Sequence, residues 1–266
     1  MINSWLVENI KSLDKSVVTR LEAYASQYET AAFLTGDPSW FMHQVEGTRN
    51  QEVMAFIASC LSFGTRKLFM PKVDYMLKAS QGNIYRWVAE GLFRDDIGES
   101  DHCYYRFYTY KDIHWFLQAL QSLLRDYGSI GHFARYAVGN REPSQTDVMA
   151  VLLSLSGYFQ QRAIKGLVPK PVSSLCKRPC MFLRWMVRDH SPVDLGLWSG
   201  FVDKRHLLVP MDTHVFSMAQ QLGLISQKSP TWSAVRQLTE VLSTVFPDDP
   251  LKGDFALFGA GVNGKA

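Results

Sequence analysis

The stretch "VPMDTHVF" at residues 209–216 places an acid and a histidine behind an apolar run and in front of a predicted helix. Val215, Met218, Ala219 and Leu222 recur at helical spacing, and Gly223 follows as a natural stop. Asp212 therefore falls at the cap position, where a carboxylate accepts backbone N–H bonds and the helix dipole keeps it ionised. Two readings follow for it. It is a structural cap, or it is a capping acid that also does chemistry in a pocket at the helix mouth. His214 lies in the first turn, where backbone donors face any approaching anion. Its simpler reading is an ordinary surface histidine.

A second feature precedes this one. Between Asp147 and Asp189 the chain has no acidic residue, yet it carries Arg162, Lys165, Lys170, Lys177, Arg178, Arg184 and Arg188. Such a run makes a local field far stronger than the net charge of +3. Lys177, Arg184 and Arg188 are seven and four residues apart, so they share one face of a helix whose remainder, "CMFLRWMV", is apolar. One reading is a cationic strip facing a polyanion, which supplies affinity without sequence information. The other pairs these cations with Asp189, Asp194 or acids of the 246–254 segment.

The elements that must hold these groups are helical. Ile113, Phe116, Leu117, Leu120, Leu123 and Leu124 form one apolar stripe within 111–126. The segments 51–63, 145–156 and 232–245 read as helices too, and no strand–helix alternation appears. The predicted fold class is all-α. Breakers at Asp37-Pro38, Gly91, Asp95 to Gly98, Gly139 to Pro143, Pro169 to Pro171 and Pro247 to Pro250 separate the helices. A two-lobed helical body is expected, with about 51–165 as one lobe and the N-terminal helix plus 166–266 as the other.

Composition narrows the class. Apolar residues make up 47% and charged residues 20% of 266, as in a globular chain. Glu8, Lys11 and Asp14 break the N-terminal segment, which excludes a signal peptide on this reading. No apolar run reaches membrane-spanning length. Cys60, Cys103, Cys176 and Cys180 suggest no disulfide framework and no zinc spacing, so a reduced cytoplasmic setting is expected, with no metal and no cofactor.

"KRPCMFLRWMVRDHSPVDLGLW", "MDTHV" and "DPLKGDFALFGAGV" resemble the helix-hairpin-helix DNA glycosylases, the endonuclease III and 8-oxoguanine glycosylase superfamily. The nearer resemblance is to an uncharacterised bacterial family distantly similar to archaeal 8-oxoguanine glycosylases. The nearer match covers most of the chain, the superfamily match about 175–262. It implies a two-lobed glycosylase-like fold with a degenerate helix-hairpin-helix. It implies an enzyme that turns a damaged base, an oxidised purine first of all, out of duplex DNA. The partner is then double-stranded DNA, and the protein acts as a monomer.

The same resemblance assigns roles. Asp212 stabilises charge developing on the sugar or activates the nucleophile. Lys177 is the candidate amine that forms a Schiff base and permits strand cleavage at abasic sites. His214 and Thr213 contact DNA phosphate, with Lys170, Arg178, Arg184 and Arg188 as further DNA contacts. "SCLSFGTRK" resembles the turn that pushes a side chain into the vacated duplex, which names Phe63, Thr65 and Arg66. Trp185 and Trp198 are candidates to line the base pocket, against a plain core role. The chain departs from the superfamily where "PVSSLCKR" lacks the hairpin glycines, and Lys177 stands 35 residues before Asp212. Base removal by water, without an amine nucleophile, is the alternative chemistry. A non-catalytic DNA- or RNA-binding protein that keeps the fold is the alternative function.

Overall fold

Thr109 and Asp112 show how this chain starts a helix. The Thr109 hydroxyl accepts from the Asp112 amide while the Asp112 carboxylate accepts from the Thr109 amide, a reciprocal capping box. The helix they open is Tyr110–Tyr127, and it stops at Gly128 in the left-handed conformation. All six residues of the predicted stripe are buried in it. A computed structural model describes residues 13–164 and 166–263. Glu8, Lys11, Lys165 and the last three residues lie outside the described residues.

In chain order the helices are α1 (Lys15–Tyr28), α2 (Thr48–Leu61), α3 (Arg66–Ala79), α4 (Ile84–Ala89), α5 (Phe93–Asp96), α6 (Tyr110–Tyr127) and α7 (Ile130–Val138). They continue with α8 (Asp147–Gln160), α9 (Lys177–Val187), α10 (Thr213–Gln221), α11 (Trp232–Val245) and α12 (Lys252–Val262). Short 3-10 turns span Ala31–Leu34, Pro38–His43 and Lys204–His206. The described residues are thus mostly helical, with one hairpin that periodicity had not predicted. Its strands, β1 (Cys103–Tyr105) and β2 (Tyr108–Thr109), pair antiparallel with Cys103 opposite Thr109. Three tyrosines, Tyr104, Tyr105 and Tyr108, bury their rings there. Among the described residues no helix is long and apolar enough to cross a membrane.

The chain divides into two units, one of Leu34–Pro143 and Met149–Lys170, the other of Met1–Phe33, Ser144–Val148 and Pro171–Ala266. In the first, α2 is the central element, with every residue from Glu52 to Leu61 buried, and the rings of Phe56, Phe116 and Phe159 packed on one another. Each such ring taken from water contributes about 2–3 kcal/mol.

In the second unit the centre is α9, buried from Pro179 to Val187. Pro179 sits in its first turn, where a missing N–H costs no helical bond. Helix α12 packs against α1 and α10, and glycines set both approaches. A Cβ on Gly259 would lie 2.2 Å from Cγ of Tyr28, and one on Gly261 would lie 3.2 Å from the His214 carbonyl oxygen.

Candidate functional site

Asp212 is extended, at φ −122° and ψ −170°, immediately before α10. Its Oδ1 accepts from the amides of His214 and Val215, each at 3.0 Å. The capping reading therefore holds. The other oxygen is turned elsewhere: Oδ2 accepts from Nζ of Lys177 at 2.9 Å. Lys177 is the first residue of α9, so the starts of two helices deliver an amine and a carboxylate to one point. Neither is sealed, the side chains being 33% and 17% exposed. Burial pushes the Asp212 carboxyl up, but the Lys177 charge and the Val215 amide outweigh it and hold it below the ordinary carboxylate range.

The residue before Lys177 is unusual. Cys176 adopts φ 51° and ψ 26°, the left-handed region that a residue with a side chain enters at a steric cost. Val172 does the same at φ 70°. The segment "PVSSLCKR" thus makes left-handed turns without glycine. The Cys176 and Cys180 thiols are both buried, and the Cys180 thiol is pushed well up by its hydrogen bond with Cys176 and by burial.

Arg184 and Arg188 do not form an open cationic strip, and this corrects their assignment as DNA contacts. They are 5% and 1% exposed. Arg184 donates from Nε to Asp194 at 3.2 Å and from Nη1 to Asp254. Arg188 grips Asp249 with Nε at 2.9 Å and Nη2 at 2.7 Å, Asp194 with Nη1, and Glu29 with Nη2 at 2.7 Å. Both guanidiniums also lie over the Phe255 ring. The reading in which internal acids answer these cations is the one found, through Asp194, Asp249 and Asp254. Asp189 pairs with Lys204 instead. The physical reason is simple: α9 is central, so its far turns face protein on every side, and a buried charge must be paired.

Two guanidiniums meet four carboxylates in this network, an excess of negative charge. Burial lowers the Arg188 pKa, yet Asp194, Asp249 and Glu29 more than reverse it. Asp254 shows the excess: burial, opposed by Arg184 and reinforced by the Asp212 charge, pushes its carboxyl up to about 6. Asp254 therefore stands electrostatically behind the Lys177–Asp212 pair; the sequence offered it as a partner for the α9 cations but not for this role. The signal for Glu29, an acid just past the end of α1, was absent from the sequence altogether.

Trp185 and Trp198 are 0% and 1% exposed, which corrects their placement at a base pocket. Trp198 packs edge-on against Phe182 at 5.2 Å, and its amide donates to the Met186 carbonyl. Trp185 follows from its place mid-helix in α9. Neither ring offers a face to a ligand. His214 and Thr213 are exposed at the start of α10, with the His214 ring edge-on to Phe258 at 6.4 Å. Arg178 is half-buried beside Lys177.

The remaining predicted contacts belong to the other unit. Lys170 is exposed there. Thr65 is exposed at the start of α3, and Arg66, 41% exposed, holds Asp37 at 3.0 Å. Phe63 is half-buried against Tyr105, Phe107 and Tyr108, with Arg106 over its face. The most exposed ring of that group is Phe107, 70% open at the turn between β1 and β2. Among the described residues no cluster of three or more His, Cys, Asp or Glu could hold a metal ion.

Residues 37–263 match a protein family described as "Protein of unknown function (DUF2400)", and the chain belongs to that family. No curated protein and no solved structure matches it.

Proposed function

We propose that this member of the family is a DNA repair glycosylase with a helix-hairpin-helix-like fold, acting as a cytoplasmic monomer on duplex DNA that carries a damaged base. An oxidised purine is the first substrate to test. One observation carries the reading: Nζ of Lys177 lies 2.9 Å from Oδ2 of Asp212, half-buried at the starts of α9 and α10. Schiff-base formation needs an amine that can give up its proton and a negative charge beside the reacting sugar, and this pair brings the two groups to one point.

Asp212 takes the proton that Lys177 must lose. The amine nitrogen then bonds to the sugar C1′ while the bond from C1′ to the base breaks, and the base leaves with that electron pair and takes up a proton. Opening of the sugar ring gives an imine between Lys177 and C1′. The positive end of α10 and the exposed Thr213 and His214 favour a phosphate beside the reacting sugar. Lys177 and Asp212 are the catalytic residues of this proposal.

A second reading has its own support. With Arg184 and Arg188 neutralised inside the protein, the cationic face of α9 shrinks to Lys177 and Arg178 at its start, and a non-catalytic nucleic-acid-binding protein accords with that.

The test is to incubate the protein with duplexes carrying 8-oxoguanine, uracil or an abasic site, and to add borohydride. Hydride delivered to the iminium freezes the adduct as a stable amine. An adduct that disappears in Lys177→Ala and Lys177→Arg upholds the lysine chemistry. Base release without an adduct, abolished in Asp212→Asn, upholds base removal by water. Binding with neither product leaves the non-catalytic protein.

A further inference from the structure

The unit formed by Leu34–Pro143 and Met149–Lys170 contains an open cavity of about 400 Å³. Its floor is the outer face of α6, where Trp115, Gln118, Ser122 and Arg125 recur at spacings of three, four and three residues. Arg94 of α5 and Arg162, just beyond α8, complete the walls. Three guanidiniums thus line one concavity, and no carboxylate is among its lining residues.

These arginines are held by groups that leave their charge in place. Arg94 donates to the Gly91 carbonyl at 3.2 Å and to the Gln121 side chain at 2.9 Å, both neutral acceptors. Arg162 donates to the Tyr158 carbonyl at 3.1 Å, and its guanidinium carbon lies over the Tyr158 ring, 3.5 Å from the centre. Arg125 meets an acid, Asp126, through Nε at 3.1 Å, but that pair is solvent-exposed and weak. Its terminal nitrogens are unengaged among the described residues. Against Trp115 Lys111 adds a cation and Glu99 an acid, so the four cations and two acids named here leave two positive charges in excess.

The indole of Trp115 has two charged neighbours. Its N–H donates to Glu99 at 3.3 Å and Lys111 sits 5.0 Å from the ring centre, while 39% of the residue stays open. Convergent guanidiniums recognise phosphate oxygens, an indole stacks a planar base, and an amide such as Gln118 reads a base edge. A volume of about 400 Å³ suits a small ligand.

We infer that this cavity binds a nucleoside phosphate, with the phosphate on Arg125 and Arg162 and the base against Trp115. The ligand is either a free nucleotide or one nucleotide of a single strand. The inference is independent of Lys177 and Asp212, which belong to the other unit.

Calorimetric titration of the full chain with ADP, inorganic phosphate, adenosine and a short single-stranded oligonucleotide tests it. ADP or the oligonucleotide binds, whichever is the source, and the affinity falls at least about tenfold in the double variant Arg125→Ala, Arg162→Ala. Trp115→Ala weakens ADP or oligonucleotide binding and leaves inorganic phosphate unchanged, and Trp115→Phe restores it in large part. Thermal unfolding of each variant confirms that these exposed substitutions leave the fold intact. Absence of binding by both ADP and the oligonucleotide up to about 1 mM, a double variant that binds as well as the unmodified chain, or adenosine binding as tightly as ADP would each overturn the inference.

Discussion

Lys177 and Asp212, 35 residues apart in the chain, meet with Nζ 2.9 Å from Oδ2, while the opposite oxygen of the same carboxylate caps α10. One side chain therefore serves two ends at once, and substitution separates them. Asp212→Ala loses both the cap and the ion pair and should destabilise the protein by about 1–2 kcal/mol. Asp212→Ser keeps an oxygen for the Val215 amide and should recover most of that. Urea unfolding reads both variants. Equal losses in the two would mean that capping contributes little, and the ion pair most, of what Asp212 adds to stability.

Arg188 is the heaviest commitment in the charged network. Replacing it with Met leaves Asp194, Asp249 and Glu29 without their shared partner, Arg184 still pairing with Asp194. Removing one partner of a buried ion pair costs about 3–5 kcal/mol. The expected result is a much lower unfolding midpoint in urea. A change below about 1 kcal/mol would show that these acids do not depend on the guanidinium.

Stability should carry the mark of Asp254. Its carboxyl is at about 6 in the folded protein, against 3.8 for an unperturbed group. Between these values the folded chain binds more protons than the unfolded one, so the Asp254 contribution falls as pH rises from about 4 to about 6. Asp212, held low by Lys177, acts in the opposite sense, adding stability above the ordinary carboxylate range that is lost as pH falls. Asp254→Asn still accepts a hydrogen bond from Arg184 but cannot titrate. Denaturant titrations across this window should show a less negative slope of stability against pH in that variant. An unchanged slope would place the excess proton elsewhere.

The two glycines of α12 should respond differently to alanine. At Gly259 the new methyl would meet Cγ and Cβ of Tyr28 at 2.2 and 2.7 Å, the rigid root of that side chain, so α1 and α12 must move apart. A loss of about 1–3 kcal/mol is expected. At Gly261 the nearest atoms are His214 oxygen and Cβ at 3.2 and 3.3 Å, a few tenths of an ångström from comfortable contact. The gain in helix propensity offsets that, and Gly261→Ala should stay within about 1 kcal/mol of the unmodified chain. Thermal unfolding distinguishes the two.

Periodic elements were legible in the sequence and their surroundings were not. The α6 stripe from Ile113 to Leu124 is buried residue for residue, and 232–245 is helix α11 to the residue, because amphipathic spacing encodes a face. Asp212 as a cap follows from local chemistry. Spacing placed Lys177, Arg184 and Arg188 on one face of α9 but could not say what that face meets. The acids that meet it come from 29, 194, 249 and 254, brought together only by tertiary packing. The same blindness applied to Trp185 and Trp198, since a ring in a central helix and a ring in a pocket look alike in a row of letters. The Arg94, Arg125 and Arg162 cluster was invisible for a related reason: its members lie on α5, on α6 and just beyond α8, far apart in sequence.

Cys176 holds a left-handed backbone that glycine would adopt freely, and it does so one residue before Lys177. Its sulfur reaches forward to Cys180, so the first turn of α9 is laced to the residue that launches it. Such lacing restrains the backbone from which the lysine side chain hangs, so the amine meets Asp212 through the torsions of its own four-carbon stem.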